Sequence, residues 1–217
     1  MGKMQARKIV RLMRHALRVG VPMVAFKDSG GARIQEGVDA LSGYGDVFYY
    51  NVMLSGVVPQ IAVVLGPCAG GAAYSPALMD FVIMARHNAY MFLTGPEVIK
   101  AVTGRTTTME EVGSAEMHAS VSGNVHFIAE DDQHAIALVK GLLSYLPPNN
   151  TEDPPHDLSV PIDELVDEGM QDLIPSDSSE PLDMHAVIRR LVDRGEMLEV
   201  HASFARNVIV GFARISG

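Results

Sequence analysis

Apolar residues recur at three- and four-residue steps over residues 4–19 (Ile9, Val10, Met13, Leu17), a period that predicts a helix closed by Gly20. Arg7, Arg11, Arg14 and Arg18 keep the same period on the other side and so form one exposed stripe. A short apolar run over 21–26 reads as a strand, with Pro22 near its start where a missing amide donor is tolerable. Residues 28–31 break it. Residues 38–55 carry Leu41, Tyr44, Val47, Phe48 and Val52 at helical intervals, and 61–65 is apolar throughout, as in a central strand buried on both faces. Gly66-Pro67 is expected to end that strand, Gly70-Gly71 follows, and 72–79 reads as a short helix.

The remaining pattern predicts strands over 81–85 and 90–93, a helix near 96–102, and an amphipathic helix over 131–145 closed by Pro147-Pro148. Residues 149–157, rich in Pro and Asp, read as a linker. Beyond it come a short helix (162–169), a proline- and acid-rich loop (175–181), a helix (184–194) and a strand (208–215). That strand needs a neighbour and runs almost to Gly217, so the chain is expected to be cut rather than finished. Strand, glycine turn and helix alternate as in an α/β layered domain.

The composition is that of an ordinary globular chain: 47% of the 217 residues are hydrophobic and 20% charged, which excludes a disordered or fibrous protein. No apolar run approaches a bilayer span, and the N-terminus has no signal core. One cysteine, Cys68, permits neither an intrachain disulfide nor a cysteine-rich zinc site. These features point to a soluble protein of the cytoplasm, or of the mitochondrial matrix in a eukaryote. Charge is unevenly spread: residues 1–27 hold seven basic groups and no acid, while the other 190 hold ten basic and 26 acidic groups. An acidic body argues against nucleic-acid binding, and a basic stripe suits either plain solvation or a small phosphorylated ligand.

Candidate chemistry gathers at two glycine turns, DSGGARIQEG from Asp28 to Gly37 and GPCAGGA from Gly66 to Ala72. Glycine pairs let a backbone approach a ligand closely and take positive φ. Amides at a helix N-terminus favour negative charge. Two such turns on adjacent parallel strands would set amide donors side by side, an oxyanion hole suited to a thioester enolate. Neither turn matches a dinucleotide or nucleoside-triphosphate loop. The serine-nucleophile elbow fails at Ser29, because Lys27 occupies its first glycine position. Cys68 has no general base beside it and reads as a small buried residue. His118, His126 and His134 lack metal-ligand spacing, so no metal site is expected. Glu110-Glu111 and Asp131-Asp132 read as helix-start acids, and the 13 methionines as packing.

These two turns, with GPCAGGAAYSPA from Gly66 to Ala77, TGPEV from Thr94 to Val98 and NVIVGFAR from Asn207 to Arg214, resemble the carboxyltransferase subunits of biotin-dependent acyl-CoA carboxylases. The likeness extends over essentially the whole chain and is strongest to the propionyl-CoA carboxylase β and methylmalonyl-CoA decarboxylase α types. It implies the crotonase-like fold of stacked strand-strand-helix units. It further implies an N-terminal carboxyltransferase domain over 1–148 lacking its first segment, a linker over 149–183, and the beginning of a C-terminal domain over 184–217. By the same resemblance the amides of Gly31 and Ala32 hold the thioester oxygen. Gly30, Arg33, Cys68, Ala69, Gly70, Gly71 and Ala72 line the substrate site.

The implied activity moves a carboxyl group between carboxybiotin and the α-carbon of a short acyl-CoA. No biotinylated-lysine motif occurs, so biotin arrives on a separate carrier. The implied partners are acyl-CoA, a biotin carboxyl carrier or biotin carboxylase subunit, and further copies of the chain in a hexamer. Two alternatives stay open: a catalytically incomplete CoA-binding or assembly module, and the α subunit of a sodium-coupled decarboxylase.

Overall fold

A computed structural model describes residues 1–159, 168–177 and 179–217. Helix α1 (Lys3–Val19) buries Ala6, Met13 and Ala16 and exposes the arginine stripe. Gly20 ends it in the left-handed region at φ 73°, its amide bonding the Ala16 carbonyl at 2.8 Å. Strand β1 (Met23–Ser29) ends three residues past the expected Phe26 and runs two residues into the 28–31 break. Helix α2 (Val38–Leu54) packs on α1, but its buried face is rotated from the one the apolar spacing predicts: Tyr44 and Val47 are buried, whereas Leu41 and Val52 are exposed. Asn51 turns inward instead, because Gln60 and Ser75 satisfy its amide there.

Strand β2 (Gln60–Ala69) is the centre of the molecule, and Ile61 to Val64 are fully buried as its unbroken apolar run requires. It does not stop at Gly66-Pro67. Its first half pairs in parallel with β1 and with β3 (Phe81–Ala85), and its last three residues pair in parallel with β4 (Tyr90–Phe92). Between the halves the register with β1 slips, from Lys27 opposite Val64 to Ser29 opposite Cys68. Two extra β2 residues are taken up there as a bulge. Pro67 is exposed within this irregular stretch, where no β1 partner requires its missing amide. Gly66 serves packing rather than termination, since a Cβ on it would stand 2.6 Å from the Asp28 carboxyl carbon.

Helix α3 (Gly71–Ala77) follows β2 directly. After β4 come α4 (Pro96–Thr103), α5 (Met109–Gly113) and the single turn α6 (Ala115–Met117), which widens into a π-helical turn over His118–Ser122. Thr108 and Glu111 cap α5 reciprocally, and Asp131 accepts from the His134 amide at 2.7 Å to cap α7 (Asp132–Leu143), so both acidic pairs mark helix starts as expected. Strand β5 (Phe127–Ala129), not predicted, extends the sheet beyond β3 in the order β1-β2-β3-β5.

The expected helix over 162–169 falls mainly outside the described residues, and Glu168–Leu173 forms a 3-10 turn. Helix α8 (Met184–Leu191) is shorter than predicted, and an unpredicted strand β6 (Met197–Val200) pairs antiparallel with β7 (Val210–Ala213). No described helix is long and apolar enough to cross a membrane.

The β6–β7 hairpin meets the main sheet at His126. Its Nδ1 accepts the Val82 amide at 3.0 Å, and its ring lies 4.4 Å from that of His201. Burial, aided by the neighbouring His201, lowers its pKa from 6.5 to about 4. Between these values the unfolded chain binds a proton that the folded chain refuses, so stability present above pH 6.5 is lost as pH falls toward 4. With allowance for solvent screening of a partly exposed ring, the loss is on the order of 2 kcal/mol. Urea midpoints at pH 7 and 4.5 should differ less in His126→Asn, which retains an acceptor, than in the parent chain. An equal difference in both would remove His126 as the cause.

Candidate active site

The C-terminal ends of β1 and β2 are adjacent, and each runs into one of the two glycine turns. In the first, Gly30 is open on its Cβ side and Gly31 takes φ 101°, where a side chain is strained. A Cβ on Gly31 would stand 3.0 Å from the Ala69 carbonyl oxygen, so the turns touch through these residues. The Gly31 amide donates a long 3.3 Å bond to the Ser29 hydroxyl, while its carbonyl accepts from the Met1 amino group. The Ala32 amide has no acceptor among the described residues. Arg33 is exposed; its amide bonds Met1, and its guanidinium lies 3.8 Å from Glu36.

The second turn is pinned from beneath. Gly70, at φ 58°, donates to the Phe92 carbonyl at 3.0 Å, which ties the turn to β4. Gly71 lies under the Tyr44 ring, with room for a Cβ only at 3.3 Å. Gly71 and Ala72 begin α3, where amides lack intrahelical acceptors. Cys68 is wholly buried with its Sγ 3.7 Å from the Ala72 carbonyl. Burial, only partly offset by the charge of Lys27, pushes its thiol up to about 11. It is a packing residue, and any contact it makes with a ligand falls to its backbone.

Below the turns runs a polar chain that the sequence pattern did not single out. Lys27 Nζ donates to Ser75 Oγ at 3.0 Å, Ser75 donates to Asn51 Oδ1 at 3.0 Å, and Asn51 Nδ2 donates to Gln60 Oε1 at 3.0 Å. Lys27 was visible as a cation in an apolar strand, but the strand period alone does not say that it faces inward. A cavity of about 360 Å³ opens beside it, bordered by Met1, Ile9, Phe26, Lys27, Tyr44 and Ser75. A wider depression of about 570 Å³ runs along Arg7, Arg11, Arg14 and Arg18 on the opposite face of α1, away from both turns. Among the described residues no group of His, Cys, Asp and Glu is placed to hold a metal ion.

With this geometry in hand, comparison with known proteins is decisive: the profile of the carboxyl transferase domain matches residues 1–217. The chain belongs to the carboxyl transferase domain family. Among its curated relatives, the methylmalonyl-CoA carboxyltransferase 12S subunit of Propionibacterium freudenreichii subsp. shermanii is 53% identical over 221 residues, covering 100% of this chain and 41% of the relative. The methylmalonyl-CoA decarboxylase subunit alpha of Veillonella parvula is 50% identical, covering 100% of this chain and 43% of the relative. This carboxyl transferase chain thus spans about two fifths of the length of the curated relatives it matches.

A crystal structure of transcarboxylase 12S with hydrolyzed methylmalonyl-coenzyme A bound superposes at TM-score 0.95 and 52% identity, over 100% of this chain and 42% of that one. The geranyl-CoA carboxylase beta subunit of P. aeruginosa superposes at 0.60 and 30% identity, over 98% and 40%. The crotonase-like carboxyltransferase fold expected from the resemblance is the fold observed.

Proposed function

We propose that this chain is the acyl-CoA side of a biotin-dependent carboxyltransferase acting on a short acyl-CoA of the propionyl and methylmalonyl type. The contact of Gly31 with the Ala69 carbonyl supports the reading, because it sets the two glycine turns against each other at the ends of adjacent strands. A thioester enolate bears its negative charge on oxygen, and fixed amides stabilise that charge without reorganising. Ala32 supplies a donor with no competing acceptor among the described residues. Gly31 supplies a second one, held meanwhile by a neutral hydroxyl that an anionic oxygen outcompetes.

Gly30, Arg33, Ala69, Gly70, Gly71, Ala72 and the backbone of Cys68 form the walls around the acyl group. Biotin is carried on a separate protein and supplies or accepts the carboxyl group; the residues described here handle the thioester end. A biotin carboxyl carrier or biotin carboxylase subunit, and further copies of this chain, are the partners that this division of labour requires. The transcarboxylase 12S structure is a hexamer assembly, which supports the last. Decarboxylase alpha subunits share the thioester chemistry in the reverse direction, and that direction is the second reading.

Calorimetric titration of the 217-residue chain with propionyl-CoA and with free CoA tests the proposal. The thioester should bind with an enthalpy that free CoA does not reproduce. Absence of thioester binding at millimolar concentration overturns the reading.

A further inference from the structure

Two groups on the wall of the 360 Å³ cavity are left in an unfavourable state. The Lys27 ammonium is largely desolvated, which lowers its affinity for a proton, and its one hydrogen-bond partner among the described residues is the neutral Ser75 hydroxyl. No carboxylate among the described residues forms an ion pair with it. The adjacent Asp28 is exposed and its carboxyl group lies over Gly66, while the buried Cys68 thiol stays protonated. The second group is the Tyr44 hydroxyl, buried beside the Ser29 hydroxyl and without a well-formed hydrogen bond among the described residues. A buried cation without a counter-ion and a buried donor without an acceptor each cost free energy, and both line one cavity.

One kind of ligand relieves both: an anion small enough to enter between apolar walls, with two oxygens to receive an N–H and an O–H. A carboxylate on a short carbon stem has that form. A phosphate, more strongly hydrated, is less suited to walls formed by Met1, Ile9, Met23 and Phe26. Ser29 and Ala72 also line the cavity, so it adjoins both glycine turns.

We infer that Lys27 and Tyr44 form a carboxylate-recognition site that distinguishes a carboxylated acyl thioester from its uncarboxylated counterpart. The inference rests on the acyl-CoA reading above for the source of the carboxylate, and Lys27 acts as a specificity-determining residue. Bound carboxylate accepts from Lys27 Nζ and from the Tyr44 hydroxyl, while the apolar walls exclude water from the pair.

Affinities of methylmalonyl-CoA, propionyl-CoA, free methylmalonate and inorganic phosphate for the chain and for Lys27→Met and Tyr44→Phe test this. Lys27→Met should weaken methylmalonyl-CoA about tenfold or more and propionyl-CoA less than about twofold. Tyr44→Phe should weaken methylmalonyl-CoA by about threefold to tenfold without lowering the melting temperature, because the hydroxyl it removes is unpartnered. That second variant keeps the test valid if Lys27→Met fails to fold. Equal weakening of both thioesters, no weakening, or phosphate bound in preference to methylmalonate overturns the inference. Lys27-dependent binding of methylmalonate with no binding of either thioester retains the carboxylate site and overturns the acyl-CoA reading instead.

Discussion

Gly31→Val should lower the rate of carboxyl transfer from methylmalonyl-CoA to free biotin by about 10²–10³-fold, the scale of losing an oxyanion donor. Two effects combine at this position. Valine at φ 101° is strained, and its Cβ would press on the Ala69 carbonyl from 3.0 Å. The first turn must then swing away from the second, which displaces the Gly31 and Ala32 amides that the proposed mechanism uses. Because enolate charge develops only on the way to the transition state, kcat should fall far more than KM rises. Gly45→Ala is the matched control. It lies exposed in α2 with nothing within 4 Å of its Cβ, so it should keep full activity and gain about 0.5–1 kcal/mol of stability. Equal turnover in Gly31→Val and the parent chain would mean that the turn amides do not stabilise the reacting oxygen.

The largest effect on stability is expected from Ile83→Ala, at about 3–5 kcal/mol. Ile83 is fully buried in β3, between β2 and β5, and packs with Ile61, Val63, Phe127 and Leu142. Strands on both sides fix the backbone, so the site cannot collapse around the missing carbons and the cavity term adds to the lost burial. Ile34→Ala is the contrast: the same side chain at 88% exposure should change stability by less than about 0.5 kcal/mol. Urea unfolding with an unchanged slope would read both values. A loss at Ile83 no larger than at Ile34 would show that the sheet is not the cooperative centre.

The difference between these isoleucines also shows what the sequence made legible. An unbroken apolar run announces a strand covered on both faces, so β2 was plain. The paired glycines announced the turns, since few other residues tolerate φ values of 101° and 58°. Strands β5 and β6 escaped because three or four residues are too few for alternation to stand out; β5 pairs only with the distant β3, and β6 with β7 across a hairpin. The inward face of α2 escaped because a polar residue, Asn51, occupies it; its partners Gln60 and Ser75 lie 9 and 24 positions away. Lys27 and Tyr44 were hidden for the same reason: a cavity is a property of assembled elements, and no spacing along the chain encodes it.

The slipped register in β2 divides that strand into a half that supports the fold and a half that leads into the second glycine turn. Residues before the slip interlock with β1 and β3, whereas those after it hold Gly70 against β4. Lengthening or shortening the chain at Leu65 to Pro67 would therefore reset the spacing of the two glycine turns, and it would also disturb Leu65 and Gly66, which pack on the core and on Asp28.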